Sequence, residues 1–520
     1  MPFRALVWGP AFLLLLPIAA LALFATRASG EIFDHLAETV LAPVLWNTLR
    51  LSVCVGLASG VLALPAAWLT SYADFPGRRF FSWALALPLA VPGYIVGFVW
   101  IGVFDYAGPV PTWLREHAPL VAEHFPRVRS FGSAVVALSL SLYPYVYILA
   151  RNGFGSVGAS AFEAARSLGY GRARSALAVV WPAARPWIAS GLALVLFETL
   201  ADFGTVAVFN VDTFTTAIYR TWYSLQSLEA ASQLSLLHLA IVLLVASALN
   251  RHRGRSRHAD RFAGRRTPAR VRLGAKGSWL AFAFLATLFA FAFLLPVAQL
   301  FYWCRENEFR GFEFSLARHL GNSLALGAAT GLVVIAGALA LASARRFLGS
   351  SFPESAARFA TLGYGMPGTV LGVGLMVALT WCFGSLYAWP GQAVGSLLLG
   401  LSLRFFAVGY KPVASGFARL SPSLAEAARS LGRGRFATFA RVDAPLLRAS
   451  TISAFVLVFI DVIKEMPLTV MLKPWGWETL AVRVHQFTSE GQWVEASAPA
   501  LAVIALACVP TWWMGRKGEA

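Results

Sequence analysis

Glu198, Asp202, Asp461 and Glu465 are the residues whose types and spacing best support chemistry. Within each pair the acids are four residues apart, and the two pairs are related by an offset of 263 positions. Four residues is about one helical turn, so the two acids of a pair share one helical face. Both pairs fall in or at the end of apolar stretches long enough to cross a bilayer. A carboxylate at bilayer depth costs about 2.5–3.5 kcal/mol on insertion scales, and such groups usually face a bundle interior or a water-filled cavity. The four acids are therefore expected to line a path through the membrane, attracting a cation while exchange among several weak sites permits release. The bland alternative has them making helix-to-helix hydrogen bonds or pairing with Lys464, with Asp202 and Glu465 reaching the outer interface. No dedicated metal cage is implied.

The elements that carry these acids follow from composition. Of 520 residues, 58% are hydrophobic and only 13% charged, and mean hydropathy is +0.65, against roughly a quarter charged in soluble domains. That excludes a soluble globular enzyme and points to an all-α polytopic membrane protein. About twelve spans are expected, near residues 6–26, 48–72, 80–105, 132–150, 188–210, 232–249, 278–302, 320–343, 358–382, 390–410, 450–472 and 495–515. The run after Arg4 resembles a signal peptide cleavable near Ala28, but the charge pattern requires a crossing here, so an uncleaved span is expected.

Lys and Arg outnumber Asp and Glu by 43 to 25, a formal charge of +18. The basic residues gather in alternate loops, at Arg78-Arg79, from Arg151 to Arg185, in 250–277, at Arg345-Arg346, from Lys411 to Arg448, and at Arg516-Lys517. The positive-inside rule then puts both termini and all the basic loops in the cytoplasm, a topological use of charge that leaves no case for nucleic acid. Asn250 to Gly277 holds ten Lys or Arg residues and one acid, Asp260. It reads as an exposed linker resting on anionic lipid headgroups, between a first repeat at 1–249 and a second at 278–520.

The two repeats are an internal duplication. The seven residues Glu163-Ala164-Ala165-Arg166-Ser167-Leu168-Gly169 recur unchanged as Glu426-Ala427-Ala428-Arg429-Ser430-Leu431-Gly432, again 263 positions on. Pro182 matches Pro445 and Arg185 matches Arg448 at the same offset, whereas Asn47 and Pro92-Gly93 match Asn322 and Pro367-Gly368 at an offset of 275. The first repeat thus holds 12 extra residues, expected in the long loop at 106–131. Six spans per repeat is an even number, so both halves enter the membrane in the same sense as a parallel pseudo-two-fold pair. In the loops 151–187 and 411–449, Ser160 with Glu163 and Ser423 with Glu426 fit capping boxes that open short helices. Gly169 and Gly432 suit the left-handed residue that closes them, and Pro182 and Pro445 are expected to end a second helical stretch. The alanines leave a thin face for a partner's backbone, and two copies imply a two-fold partner.

This repeated block, with its Gly and downstream Pro, resembles the signature of the membrane subunits of binding-protein-dependent ABC importers, of type I architecture. The resemblance implies coupling helices that seat in grooves of cytoplasmic ATPases, through Glu163, Ala164, Ala165 and Gly169 and through Glu426, Ala427, Ala428 and Gly432. It also implies two ATP-binding subunits, a periplasmic solute-binding protein and a bacterial inner-membrane location. Ala201-Asp202-Phe203-Gly204-Thr205-Val206 and Thr213 to Tyr219 are similar to ferric-iron permeases of the fused, two-in-one kind. Fused thiamine and phosphonate permeases are the alternatives, and Lys464-Glu465-Met466-Pro467 departs from the first-half pattern.

No Gly-x-x-x-x-Gly-Lys-Ser/Thr stretch occurs in the sequence, so ATP is expected to bind partner subunits and this chain to need no cofactor of its own. No nucleophile–base constellation is evident, which counts against a membrane enzyme. A proton-coupled carrier with six-plus-six spans remains the main rival. His117 and His124 fit a solvated loop better than a metal site, and His238 and His485 are isolated. Cys54, Cys304, Cys382 and Cys508 lack zinc or disulfide spacing. Gly93 with Gly97, and Gly368 with Gly372, suit close helix packing.

Overall fold

The computed structural model describes residues 2–27, 31–156, 165, 167–253, 271–308, 314–348, 352–384 and 390–517. Each of the twelve expected apolar stretches contains helix, but they are not twelve straight crossings. Among the described residues, eight helices are long and apolar enough to span a membrane, or up to ten when two bent pairs are counted as spans. The bent pairs are Glu354–Gly365 with Gly368–Phe383, at 112°, and Phe436–Leu446 with Arg448–Lys464, at 73°. Gly9–Phe24 and Trp493–Cys508 are apolar but shorter. The stretch expected at 80–105 is also interrupted: helix Arg78–Ala84 gives way to a 3-10 turn at Leu87–Ala90, and a new helix runs Gly93–Phe104. Pro92 and Pro367 stand immediately before the two restarted helices, where a missing N–H costs nothing.

The duplication is visible as two equivalent trios. Helices Leu41–Tyr72, Phe131–Ser156 and Trp181–Ala201 pack on one another, as do Phe314–Leu348, Pro390–Ala418 and Arg448–Lys464. The halves also exchange elements. Leu228–Arg253, last in the first half, packs on Gly368–Phe383 of the second, and Trp493–Lys517, last in the second, packs on Gly93–Phe104 of the first. The restarted helices therefore lie where the halves meet. Gly97 faces Phe209 and Thr205, and Gly372 faces Met471 and Leu468, so both fulfil the expected close packing.

One local expectation changes and two gain detail. Both ends of the linker carry structure: helix Leu228–Arg253 runs into it, and Val271–Arg272 pairs in parallel with Ala73–Asp74, a two-residue ladder and the only strand pairing among the described residues. Pro182 and Pro445 begin helical segments rather than ending them, at Trp181–Ala201 and Ala444–Leu446. Each follows a π-helical turn, Ala176–Val180 or Phe439–Asp443, equivalent positions in the repeat. The wider turn absorbs the backbone disruption that a proline imposes on the turn before it. The extra residues of the first half form short helices at Pro109–His117 and Pro119–Glu123.

Gly191 shows how tightly the first trio is closed. A β-carbon there would meet Val146 Cα at 2.7 Å and the Tyr145 carbonyl oxygen at 3.1 Å, both backbone atoms. Gly191→Leu is expected to cost about 1–3 kcal/mol through overpacking, read as a lower unfolding temperature in detergent. Gly321→Ala, in open space on helix Phe314–Leu348, is the control and should not lower it.

Candidate functional site: a charged cavity between the two halves

All four acids line one cavity of about 150 Å³, together with Tyr94, Tyr145, Tyr364, Arg404 and Lys464. Its walls come from both halves, and the pseudo-symmetry extends to its chemistry. In the first half the helix Trp181–Ala201 stops, the backbone turns extended at Asp202, and a short helix follows at Gly204–Val208. In the second, Arg448–Lys464 stops, Glu465 is extended, and Pro467–Leu472 follows. Gly204 opens the first short helix where a β-carbon would collide with Met466 and Tyr94, and Pro467 opens the second where it has no N–H to leave unpaired.

The acids accordingly divide into two kinds. Asp202 and Glu465 hold the breaks together. The Val206 N–H donates to Asp202 Oδ1 at 3.0 Å and the Thr205 hydroxyl to Oδ2 at 2.8 Å. At the equivalent place the Leu468 N–H donates to Glu465 Oε1 at 2.9 Å, and the Thr469 N–H and hydroxyl donate to Oε2 at 3.0 and 2.9 Å. The Thr215 hydroxyl adds a bond of 2.6 Å to the Asp202 carbonyl. These two carboxylates cap helices inside the cavity wall, a role that neither the path reading nor the bland alternative gave them, whereas the helix-to-helix bond and the Lys464 pairing of the bland alternative are made by Glu198 and Asp461.

Glu198 and Asp461 are the second kind. Glu198 Oε1 accepts from the Tyr364 hydroxyl at 2.8 Å, and Asp461 Oδ1 lies 3.3 Å from Lys464 Nζ. Lys464 also donates to the Leu89 carbonyl at 3.2 Å. Leu89 and Tyr364 occupy equivalent positions, 275 apart, in the 3-10 turns that precede the restarted helices. Each half therefore reaches across to the same point on the other.

Arg404 and Tyr364 were not among the residues singled out from sequence. Arg404 Nη1 stands 3.4 Å from Glu465 Oε1, and both crowd the face of Gly368, where a β-carbon would collide with the guanidinium. Gly93 is equivalent: a β-carbon would lie 2.6 Å from the Thr205 hydroxyl. Ser141, which matches Arg404 in the repeat, donates to the Val91 carbonyl at 3.1 Å. An Arg inside an apolar stretch is a costly placement and was a readable signal; Tyr364 had none. With two cations against four carboxylates, the cavity carries a formal excess of two negative charges.

The repeated loops form a second constellation. Ser160, Glu163 and Ala164 lie outside the described residues. The left-handed glycines are as expected, with φ of 85° at Gly169 and 73° at Gly432. The Tyr170 N–H donates to the Ala165 carbonyl at 3.2 Å and the Arg433 N–H to that of Ala428 at 3.0 Å, the six-to-one bond of a Schellman closure in both copies. The helix Pro422–Ser430 begins before Ser423, and Ser421 rather than Ser423 precedes it, accepting on its hydroxyl from the Ser423 N–H at 3.3 Å. The exposed face also differs from the expected one. Ala165 and Ala428 are buried against the chain, while Glu426 and Ala427 are exposed. The equivalent Leu168 and Leu431 stand out at 78% and 80% exposure. Arg346 braces the second loop, 3.7 Å from buried Asp443 and donating to the Ser421 carbonyl at 3.0 Å.

No group of three or more potential metal ligands occurs among the described residues. His117 and His124 instead bond carbonyls one turn back, at Trp113 and Leu120. His238 is buried against the Phe214 ring, and the half-buried His485 lies edge-on to Phe203.

A family model described as the binding-protein-dependent transport system inner membrane component matches residues 59–256 and again 334–516. The chain belongs to that family. Members are multi-pass inner-membrane transport subunits that work with substrate-binding and ATP-binding partners, and this one carries the family unit twice. It is 25% identical to the Fe(3+)-transport system permease protein FbpB 2 of Haemophilus influenzae over 98% of both chains. It is 24% identical to the putative ferric transport system permease protein FbpB 1 of the same organism, over 84% of this chain and 71% of that one. The sulfate transport system permease protein CysT of Escherichia coli is 26% identical over 37% of this chain and 68% of its own length.

If Asp202 acts as a cap, its acceptor geometry matters more than its charge. Asp202→Asn is expected to retain stability, whereas Asp202→Ala should lose about 0.5–2 kcal/mol, measured by unfolding temperature and by protease sensitivity of the 202–208 segment.

Proposed function

We propose that this permease is the transmembrane subunit of an ATP-driven importer that moves ferric iron from periplasm to cytoplasm. The observation that carries the reading is the cavity between the halves, with four carboxylates and only two cations. Such a field attracts a multivalent cation and repels an oxyanion such as sulfate. The full-length likeness to ferric permeases supports the same choice. Two cations fixed on acids from their own half leave no free positive pair to hold a phosphonate.

Energy enters from outside the chain, through one ATP-binding subunit under each repeated loop. Glu163 and Glu426, with the small residues beside them and the exposed Leu168 and Leu431, make the contact. The Schellman closures hold both knobs, and the Arg346 brace the second, rigid enough to pass on a push. The first repeat is 1–249, the basic linker 250–277 and the second repeat 278–520, with both termini and both loops cytoplasmic. A periplasmic solute-binding protein delivers the cargo to the opposite face.

The test is reconstitution in proteoliposomes with the ATP-binding subunits and iron-loaded binding protein. Uptake of radioactive ferric iron should require ATP, persist with an uncoupler and be absent for sulfate. Uptake that needs no ATPase and collapses with an uncoupler would establish a proton-coupled carrier instead. The pair Glu163→Ala and Glu426→Ala should reduce binding-protein-stimulated ATP hydrolysis about tenfold or more, the scale of losing one strong contact per site, with unchanged amounts of folded permease.

A further inference from the structure

The two cations of the cavity are held differently. Arg404 is wedged beside Gly368 against Glu465, a carboxylate already receiving three donors from the following helix. Lys464 rests on Asp461 at 3.3 Å and on a carbonyl of the other half at 3.2 Å. Its match in the first half is Ala201, so the same broken helix is built once without any cation there. Asp461, unlike Asp202 and Glu465, caps nothing. Glu198 lies within electrostatic reach of Asp461, Lys464 and Arg404, and Tyr364 is the one hydrogen-bond donor its carboxylate has among the described residues. Tyr94 lines the same cavity, and its hydroxyl is buried without a hydrogen-bond partner among the described residues.

We infer that Lys464 is a tethered counter-ion, its ammonium group resting in a cation subsite made by Asp461 with Glu198 and displaced by the cargo cation as it passes. The inference rests on the cation reading of the cavity and says how that cavity avoids trapping what it attracts. Without cargo, a half-buried Asp461 facing an empty negative field is costly, and the ammonium group offsets that cost. A hard multivalent cation outcompetes one monovalent charge for carboxylate oxygens. Because the lysine is covalently attached it competes at high effective concentration, which weakens net binding and hastens release. Rotation of its flexible stem frees Asp461 while the other acids, Arg404 and the capped breaks stay in place.

The experiment uses the full chain in lipid nanodiscs with terbium ion alone as the probe, read by its sensitised luminescence. Lys464→Gln should bind terbium about tenfold or more tightly than the wild-type chain, the scale expected for removing one competing charge, and release it more slowly. Lys464→Arg should stay near wild type. Lys464→Ala, which reproduces the first-half residue, is a second route to the same result, and unfolding temperatures accompany every variant. Unchanged or weaker terbium binding in folded Lys464→Gln and Lys464→Ala, with wild-type binding abolished by Asp461→Asn, would overturn the counter-ion role while leaving the cation path standing. Failure of wild type and variants alike to bind terbium would overturn both. Unfolding of both neutral variants would make Lys464 a structural strut and would equally overturn the proposal.

Discussion

A helix that restarts inside an apolar layer begins with N–H groups that neither its own turns nor lipid can satisfy, and everything distinctive about this permease depends on how that problem is solved. The chain solves it twice, by placing a carboxylate at the break and folding the next turn's donors onto it. Asp202 and Glu465 each satisfy the start of a short helix, and Gly93 and Gly368 are bare because a side chain there would strike a partner of the capping acid, the Thr205 hydroxyl or the Arg404 guanidinium. Once the breaks are secured, Glu198 and Asp461, a turn earlier on the same helices, are held facing the neighbouring half. The polar cavity is thus a by-product of making the interruption stable.

The same constraint explains why the cavity lies between the halves. A broken span has poor side-to-side packing of its own, so it is covered by elements from the other repeat, and Glu198 to Tyr364 and Lys464 to Leu89 are the polar ties that result. Opening and closing such an interface changes few contacts within either trio, which suits rigid-body motion of one half against the other. The π turns before Trp181 and Ala444 sit between the loops and the trios at equivalent positions, on the route by which a push on a loop reaches the helix carrying a cavity acid.

Much of this was legible in the residues. The offset of 263 that relates the loop blocks also relates the acids, and four-residue spacing put each pair on one face, so a shared cavity was an inference from periodicity alone. The left-handed glycines followed from their place after a helical block. What the sequence did not separate was the capping acids from the cavity-facing ones, because that depends on where the helix ends. Gly204 and Pro467 marked those ends, yet both read equally well inside a continuous apolar run. The inward turn of Ala165 and Ala428 was hidden for a related reason: a short helix of small residues has no apolar stripe to orient it, and the exposed Leu168 and Leu431 break the usual rule. Tyr364 joins the cavity only through a contact with the other half, 166 residues away, beyond any local pattern.

The central claim is that Glu198 and Asp461 carry cargo, while Asp202 and Glu465 carry structure. It is tested most directly by the double substitution Glu198→Gln with Asp461→Asn in the reconstituted importer, following ferric uptake and binding-protein-stimulated ATP hydrolysis together. The account predicts a folded complex that still hydrolyses ATP on command but transports iron about tenfold slower or worse, the scale of a lost charge contact. Wild-type uptake by that folded variant would contradict it.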